Sequence, residues 1–193
     1  MRSLVLKGVL LSCVSFGGVV TPAWAQNREK AWELNPYIGY LSFDETQGEE
    51  ILKNTWDLGF RFGYHWTKHH EVEFGFFGGA TEDGVGLGLD VDLLGGQVNY
   101  IYNLFLTRRD RVVGFGTAGV GLVNISSFGF VSDPDLVGDQ VEITYNYGLG
   151  IRVFGGPRAG FRFDIRRAQF SDEGVDVKYF EAAVGMSIVL GGA

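Results

Sequence analysis

The sequence predicts an all-β protein, an eight-stranded antiparallel up-and-down transmembrane β-barrel, and three observations predict it. Large apolar residues alternate with glycine or polar residues in eight segments. The connections between those segments are alternately long and short. The chain also opens with an export signal. Successive side chains on a strand point to opposite faces, so a period of two specifies a sheet with one apolar and one polar surface.

The first residues are read as targeting information rather than fold. Arg2 and Lys7 supply a positive start, Gly8 to Val20 are apolar, and Ala23-Trp24-Ala25 is a small-x-small cleavage site. Residues 1–25 are therefore expected to be a cleaved signal peptide, and 26–193 a single barrel domain. Cys13 is the only cysteine and would leave with the signal, which excludes disulfides and thiolate chemistry from the mature protein. The formal charge is −7 for the whole chain, more negative still without Arg2 and Lys7. That balance argues against a nucleic-acid partner, which would require a basic face.

The first strand places Trp32, Leu34, Pro36, Ile38 and Tyr40 on one side, with Glu33, Asn35, Tyr37 and Gly39 on the other. The second, Trp56 to Trp66, is the cleanest: every even position is a large apolar or aromatic residue, every odd one glycine or polar. In the third, Val72, Phe74 and Phe76 oppose Glu71, Glu73 and Gly75. In the fourth, Leu94, Val98, Tyr100 and Tyr102 oppose Gly95, Gln97 and Asn99. The fifth, Val112 to Asn124, alternates more softly, with Ala118, Val120 and Leu122 against Gly119 and Gly121. The sixth sets Ile143, Tyr145, Tyr147, Leu149, Ile151 and Val153 against Glu142, Asn146, Gly148, Gly150 and Arg152. Phe161, Phe163 and Ile165 oppose Arg162, Asp164 and Arg166 in the seventh, and Phe180 to Leu190 oppose Glu181, Gly185 and Ser187 in the eighth.

Each segment has about the nine to eleven residues a tilted strand needs to cross hydrocarbon. The connections 66–70, 107–111 and 154–160 are short, whereas 44–54, 81–90, 125–140 and 168–177 are expected to be long loops, the pattern of outer-membrane barrels.

Alternation alone does not say which face meets solvent, since a soluble lipocalin-like carrier would bury its apolar face inward. The aromatic face is the bulkier, and a narrow barrel has little room inside for it. The lysines after the signal, Lys30, Lys53, Lys68 and Lys178, avoid the strand centres. Trp32, Tyr40, Trp56, Tyr64, Trp66, Tyr100 and Tyr102 fall near strand ends, where interfacial girdles belong. Asp57, Arg61, Glu73, Glu142, Arg152, Arg162, Asp164, Arg166 and Glu181 then face the lumen. Mutual pairing would plug it, because an unpaired buried charge costs several kcal/mol. The alternative is that the same residues line a narrow ion or small-solute path.

Trp32-Glu33-Leu34-Asn35-Pro36-Tyr37-Ile38-Gly39-Tyr40, Thr117-Ala118-Gly119-Val120-Gly121, Asn146-x-Gly148-x-Gly150-x-Arg152 and Arg162-x-Asp164-x-Arg166 resemble the OmpA-like outer-membrane β-barrel family across essentially all of 26–193. The resemblance implies a monomeric or weakly associating barrel, placed in the bacterial outer membrane by the outer-membrane assembly machinery, with a structural, adhesive or stress-related role.

No catalytic, metal or cofactor site is expected. His65, His69 and His70 cluster at one short turn with no serine nearby, and are read as solvated interfacial residues. Gly84-Val85-Gly86-Leu87-Gly88 lacks the lysine and the helix of a phosphate loop. Asp133-Pro134-Asp135-Leu136-Val137-Gly138-Asp139 lacks the ligands of a calcium loop. The long connections carry Asp44, Glu45, Glu49, Glu50, Glu82, Asp83, Asp90, Asp133, Asp135, Asp139, Asp172, Glu173 and Asp176 with Lys53. The short turns carry Lys68, Arg108, Arg109, Arg111 and Arg158. Acidic loops outside would meet lipopolysaccharide phosphates through divalent cations, and basic turns would meet anionic inner-leaflet lipid. The alternative is that the acids only keep the loops solvated.

Overall fold

The computed structural model describes residues 29–44, 52–82, 90–107, 110–128, 140–172 and 175–192. The expected signal segment, both glycine- and aspartate-rich loop motifs, and Arg108 and Arg109 lie outside them. Eight strands follow in chain order: β1 Ala31–Phe43, β2 Thr55–His65, β3 His70–Glu82, β4 Asp90–Phe105, β5 Val112–Phe128, β6 Gln140–Phe154, β7 Ala159–Asp172 and β8 Val175–Gly191. Each pairs antiparallel with its chain neighbours, and β8 returns to β1, so the sheet is a closed barrel. Closure satisfies the backbone of every strand without leaving an edge, which is what hydrocarbon demands.

The register follows the alternation. Trp32 stands opposite Tyr64, and Tyr40 opposite Trp56. The even positions of β1 to β5 point outward: Leu58 and Leu94 are each 66% exposed, whereas the inward Arg61 is 1% and Arg152 0%. Such an apolar outer wall around a polar interior inverts the ordinary soluble arrangement and suits a lipid surround.

Several strands run further than expected. β3 continues to Glu82, β4 begins at Asp90 and β5 reaches Phe128. Most clearly, Ala168 to Val177 is not a long loop: β7 and β8 pair as far as Asp172 with Val175. A strand that rises past the hydrocarbon can carry charge at no desolvation cost, so charge marks the membrane boundary and not the end of the strand.

The interior has layers that the alternation does not distinguish. At the end that carries the 44–54 connection, Leu41, Phe77, Leu93, Phe170, Val177 and Tyr179 turn inward and form an apolar cluster. At the opposite end Ala31, Val113, Phe154 and Val189 form a second, smaller one. The buried charges lie between these two apolar caps.

Candidate functional site

The charged middle of the lumen is built by the inward positions of β1, β2, β3, β6, β7 and β8. Arg61 donates from Nη1 to Asp164 at 2.8 Å and from Nη2 to Glu181 at 2.7 Å. Arg162 donates from Nη1 to Glu73 at 2.6 Å and from Nε to Asp164 at 3.1 Å. Arg166 donates to Glu73 at 2.8 Å and to Asp164 at 2.9 Å. Glu73 and Asp164 are thus each shared by more than one arginine. The guanidinium planes also lie against rings: Arg61 sits 3.7 Å from the centroid of Tyr37, and Arg162 4.5 Å from that of Phe115.

A second cluster lies nearer the short-turn end. Arg152 donates from Nε to Glu33 at 3.0 Å, from Nη1 to Asn103 at 2.7 Å and from Nη2 to Glu71 at 2.9 Å. His65 completes it, with Nε2 3.0 Å from Glu33 and Nδ1 3.5 Å from Glu71. Glycines opposite make room for these side chains. A Cβ at Gly63 would fall 2.3 Å from a Glu71 carboxylate oxygen, and one at Gly59 would fall 2.2 Å from the Tyr37 ring.

Seven of the nine luminal charges expected from sequence, Arg61, Glu73, Arg152, Arg162, Asp164, Arg166 and Glu181, therefore meet in ion pairs. Asp57 is equally buried, but among the described residues it enters no ion pair. Glu142 is half-buried near the start of β6 and joins none of these ion pairs.

Sequence reasoning left out Glu33, Glu71, Asn35, Asn99, Asn103 and His65, although the alternation already put the first four and His65 on the inward face. The reading of all three histidines as solvated turn residues is corrected for His65, which is wholly buried. It is the last residue of β2 and shares the inward parity of Gly63 and Arg61, which outweighs its nearness to the turn. His69 is exposed and His70 half-buried. His69 Nδ1 lies 2.9 Å from the Asn103 carbonyl, and His70 Nδ1 lies 2.5 Å from the Tyr100 hydroxyl.

The aromatics expected at the interface gather in two sets. Trp32 packs on Phe62 and Tyr64, with centroids 4.7 and 4.6 Å away, and Trp66 approaches Tyr100 at 6.1 Å. At the same end His69 stacks on Tyr102 and His70 meets it edge-on. At the other end Tyr40 meets Trp56 edge-on at 5.1 Å.

Two arrangements in the lumen have the look of chemistry. Glu33, His65 and Glu71 are close enough to share a metal ion, but the Arg152 guanidinium already stands against both carboxylates, where a cation would go. Ser187, Glu33 and His65 are also neighbours. The serine donates to Glu33 at 2.9 Å and not to the histidine, so the imidazole is not placed to activate it. At the outer-wall end of β7, Arg167 pairs with Asp44 through both terminal nitrogens, with Nη1 2.9 Å from Oδ1. That hydrogen bond holds the Asp44 carboxyl below its usual range.

A closed barrel with an apolar outside, aromatic ends and a charge-filled interior defines an integral outer-membrane barrel protein. The chain belongs to the outer membrane protein beta-barrel domain family, whose model matches residues 11–187. That membership places it among bacterial outer-membrane barrels. No curated protein matches it in sequence.

Solved structures share the fold at low identity. Neisserial surface protein A (NspA) superimposes with a TM-score of 0.63 at 14% identity, covering 83% of this chain and 99% of that one. OprG from Pseudomonas aeruginosa gives 0.62 at 12%, covering 90% and 100%. The outer membrane enzyme PagL gives 0.52 at 15%, covering 79% and 97%.

Proposed function

We propose that this protein is a non-enzymatic component of the outer membrane that supports envelope integrity or surface contact through its loop end, and that it does not conduct. The observation that carries this reading is the interior: four arginines and their carboxylate partners cross-link six strands, with an apolar cluster at each end of the charged layer. A conducting path needs groups whose charge is free to meet a passing ion, whereas these arginines each spend theirs on two or more carboxylates. The acidic loop residues fit contact with divalent cations and lipopolysaccharide, although most of them lie outside the described residues.

The test is planar-bilayer recording on the folded protein. Discrete openings in the native protein that vanish in Arg61→Gln or Arg162→Gln would replace this reading with that of a narrow ion channel. A silent bilayer together with heat-modifiable migration supports the plug. Among the described residues nothing in the lumen favours catalysis: Ser187 and His65 are both fully buried, and neither activates the other.

A further inference from the structure

The outer wall of β6, β7 and β8 carries an apolar groove of about 450 Å³. Its floor is Ala182, the smallest outward residue of β8 in that stretch, and Leu149, Phe163, Ile165 and Val184 form its sides. Ala182 pairs with Ile165, and Ile165 with Leu149, so the groove runs across three adjacent strands at one level.

Above it, toward the loop end, two cations enter the outer wall among aromatic residues. Arg167 pairs with Phe180 and Tyr147, and Lys178 with Gln169, each one or two outward positions past the groove. The Arg167 guanidinium lies 4.3 Å from the centroid of the Phe180 ring and is tied to Asp44. Lys178 is exposed, and its carbonyl accepts from the Asp44 N–H at 2.9 Å. The trio of Arg167, Lys178 and Asp44 therefore keeps one net positive charge on the loop side of the groove.

Two residues of strand separate Arg167 from the level of the groove floor and four separate Lys178 from it, or about 7 and 13 Å. Both distances are short enough for one lipid molecule to span.

We propose that this face is a lipopolysaccharide site, with one acyl chain in the Ala182 groove and a phosphate held directly by Lys178 and Arg167. The occupant is argued from charge: among the lipids facing the loop end of an outer-membrane barrel, lipopolysaccharide couples phosphates to closely packed acyl chains. The proposal rests on the outer-membrane reading but needs neither the acidic loops nor a divalent cation. It deepens the envelope role by naming where the lipid is gripped. Asp44 acts here as a brake, since it occupies the terminal nitrogens that a phosphate would use.

The test uses the folded full-length protein in detergent, with divalent cations removed by chelation. Purified lipopolysaccharide, phosphatidylglycerol and phosphatidylcholine are added separately, and retained lipid is measured after size exclusion. Heat-modifiable migration confirms that each variant is folded. The native protein is expected to retain lipopolysaccharide under chelation. Loss of each basic residue, as Lys178→Gln or Arg167→Gln, is expected to weaken retention about fivefold, the equivalent of roughly 1 kcal/mol per cation at a membrane surface.

Asp44→Asn should strengthen retention, an outcome that a purely structural ion pair would not produce. Ala182→Phe should abolish it in a protein that still folds. Retention unchanged in Lys178→Gln would overturn the proposal, as would phosphatidylglycerol binding as tightly as lipopolysaccharide. Complete loss on chelation would do the same and favour cation bridging through the loops, leaving the non-conducting reading intact.

Discussion

Glu73→Gln probes the luminal network where it is most concentrated. Glu73 accepts from Arg162 at 2.6 Å, from Arg166 at 2.8 Å and from Asn99 at 3.2 Å, and it is 1% exposed. The substitution keeps shape and one carbonyl acceptor but removes the only carboxylate that Arg166 shares with Arg162 apart from Asp164. At charge separations near 4 Å and an effective dielectric of 20, each lost attraction is worth about 4 kcal/mol before solvation is counted. Asp164 remains to hold both arginines, so the net cost should fall in the range for breaking a buried pair, about 3–5 kcal/mol.

The assay is urea unfolding of the barrel in lipid vesicles, followed by tryptophan fluorescence and by the heat-modifiable band. The double variant Glu73→Gln/Arg162→Gln should recover part of the loss, because it removes the stranded cation as well. A single-variant cost below about 1 kcal/mol, or a double variant whose cost is the plain sum of the two singles, would mean that the lumen is hydrated enough for its charges to act independently.

Three further outcomes follow from the same geometry. His65→Leu leaves Glu33 and Glu71 with fewer partners and should cost about 1–3 kcal/mol in the same unfolding assay; a neutral result would mean that the imidazole contacts contribute nothing. Gly59→Ala places a methyl group 2.2 Å from the Tyr37 ring and should destabilise by about 1–3 kcal/mol, whereas Gly116→Ala meets nothing within 4 Å and should be close to neutral. Equal effects at both sites would refute the packing argument. The Asp44 to Arg167 pair sits in an exposed setting and should add no more than about 1 kcal/mol. The carboxyl titrates below its usual range, so this contribution is fully present above the ordinary carboxylate range and is lost as pH falls through the lowered value. Stability measured from neutral to acid pH in native protein and Asp44→Asn should converge at the acid end.

The sequence by itself determined the fold class, the strand count and the inward or outward parity of nearly every residue, because a strand turns its side chains with a strict period of two. Trp56 to Trp66 announces β2 almost residue by residue, and Arg162-x-Asp164-x-Arg166 announces a charged inner wall. Parity even assigned His65 inward, although its place beside a turn argued for solvent. What parity does not contain is height along the axis and identity across it. Arg152 reaches Glu33 and Glu71, which precede it by 119 and 81 positions, and only barrel closure brings β1, β3 and β6 round a common axis. The apolar caps at Leu41, Phe77, Phe170 and Tyr179 share the parity of the buried charges and are separated from them only by level. The rim of Arg167 and Lys178 above the Ala182 groove likewise exists because register aligns three strands. Backbone hydrogen bonding around a closed ring sets that register, and no local window of sequence can read it.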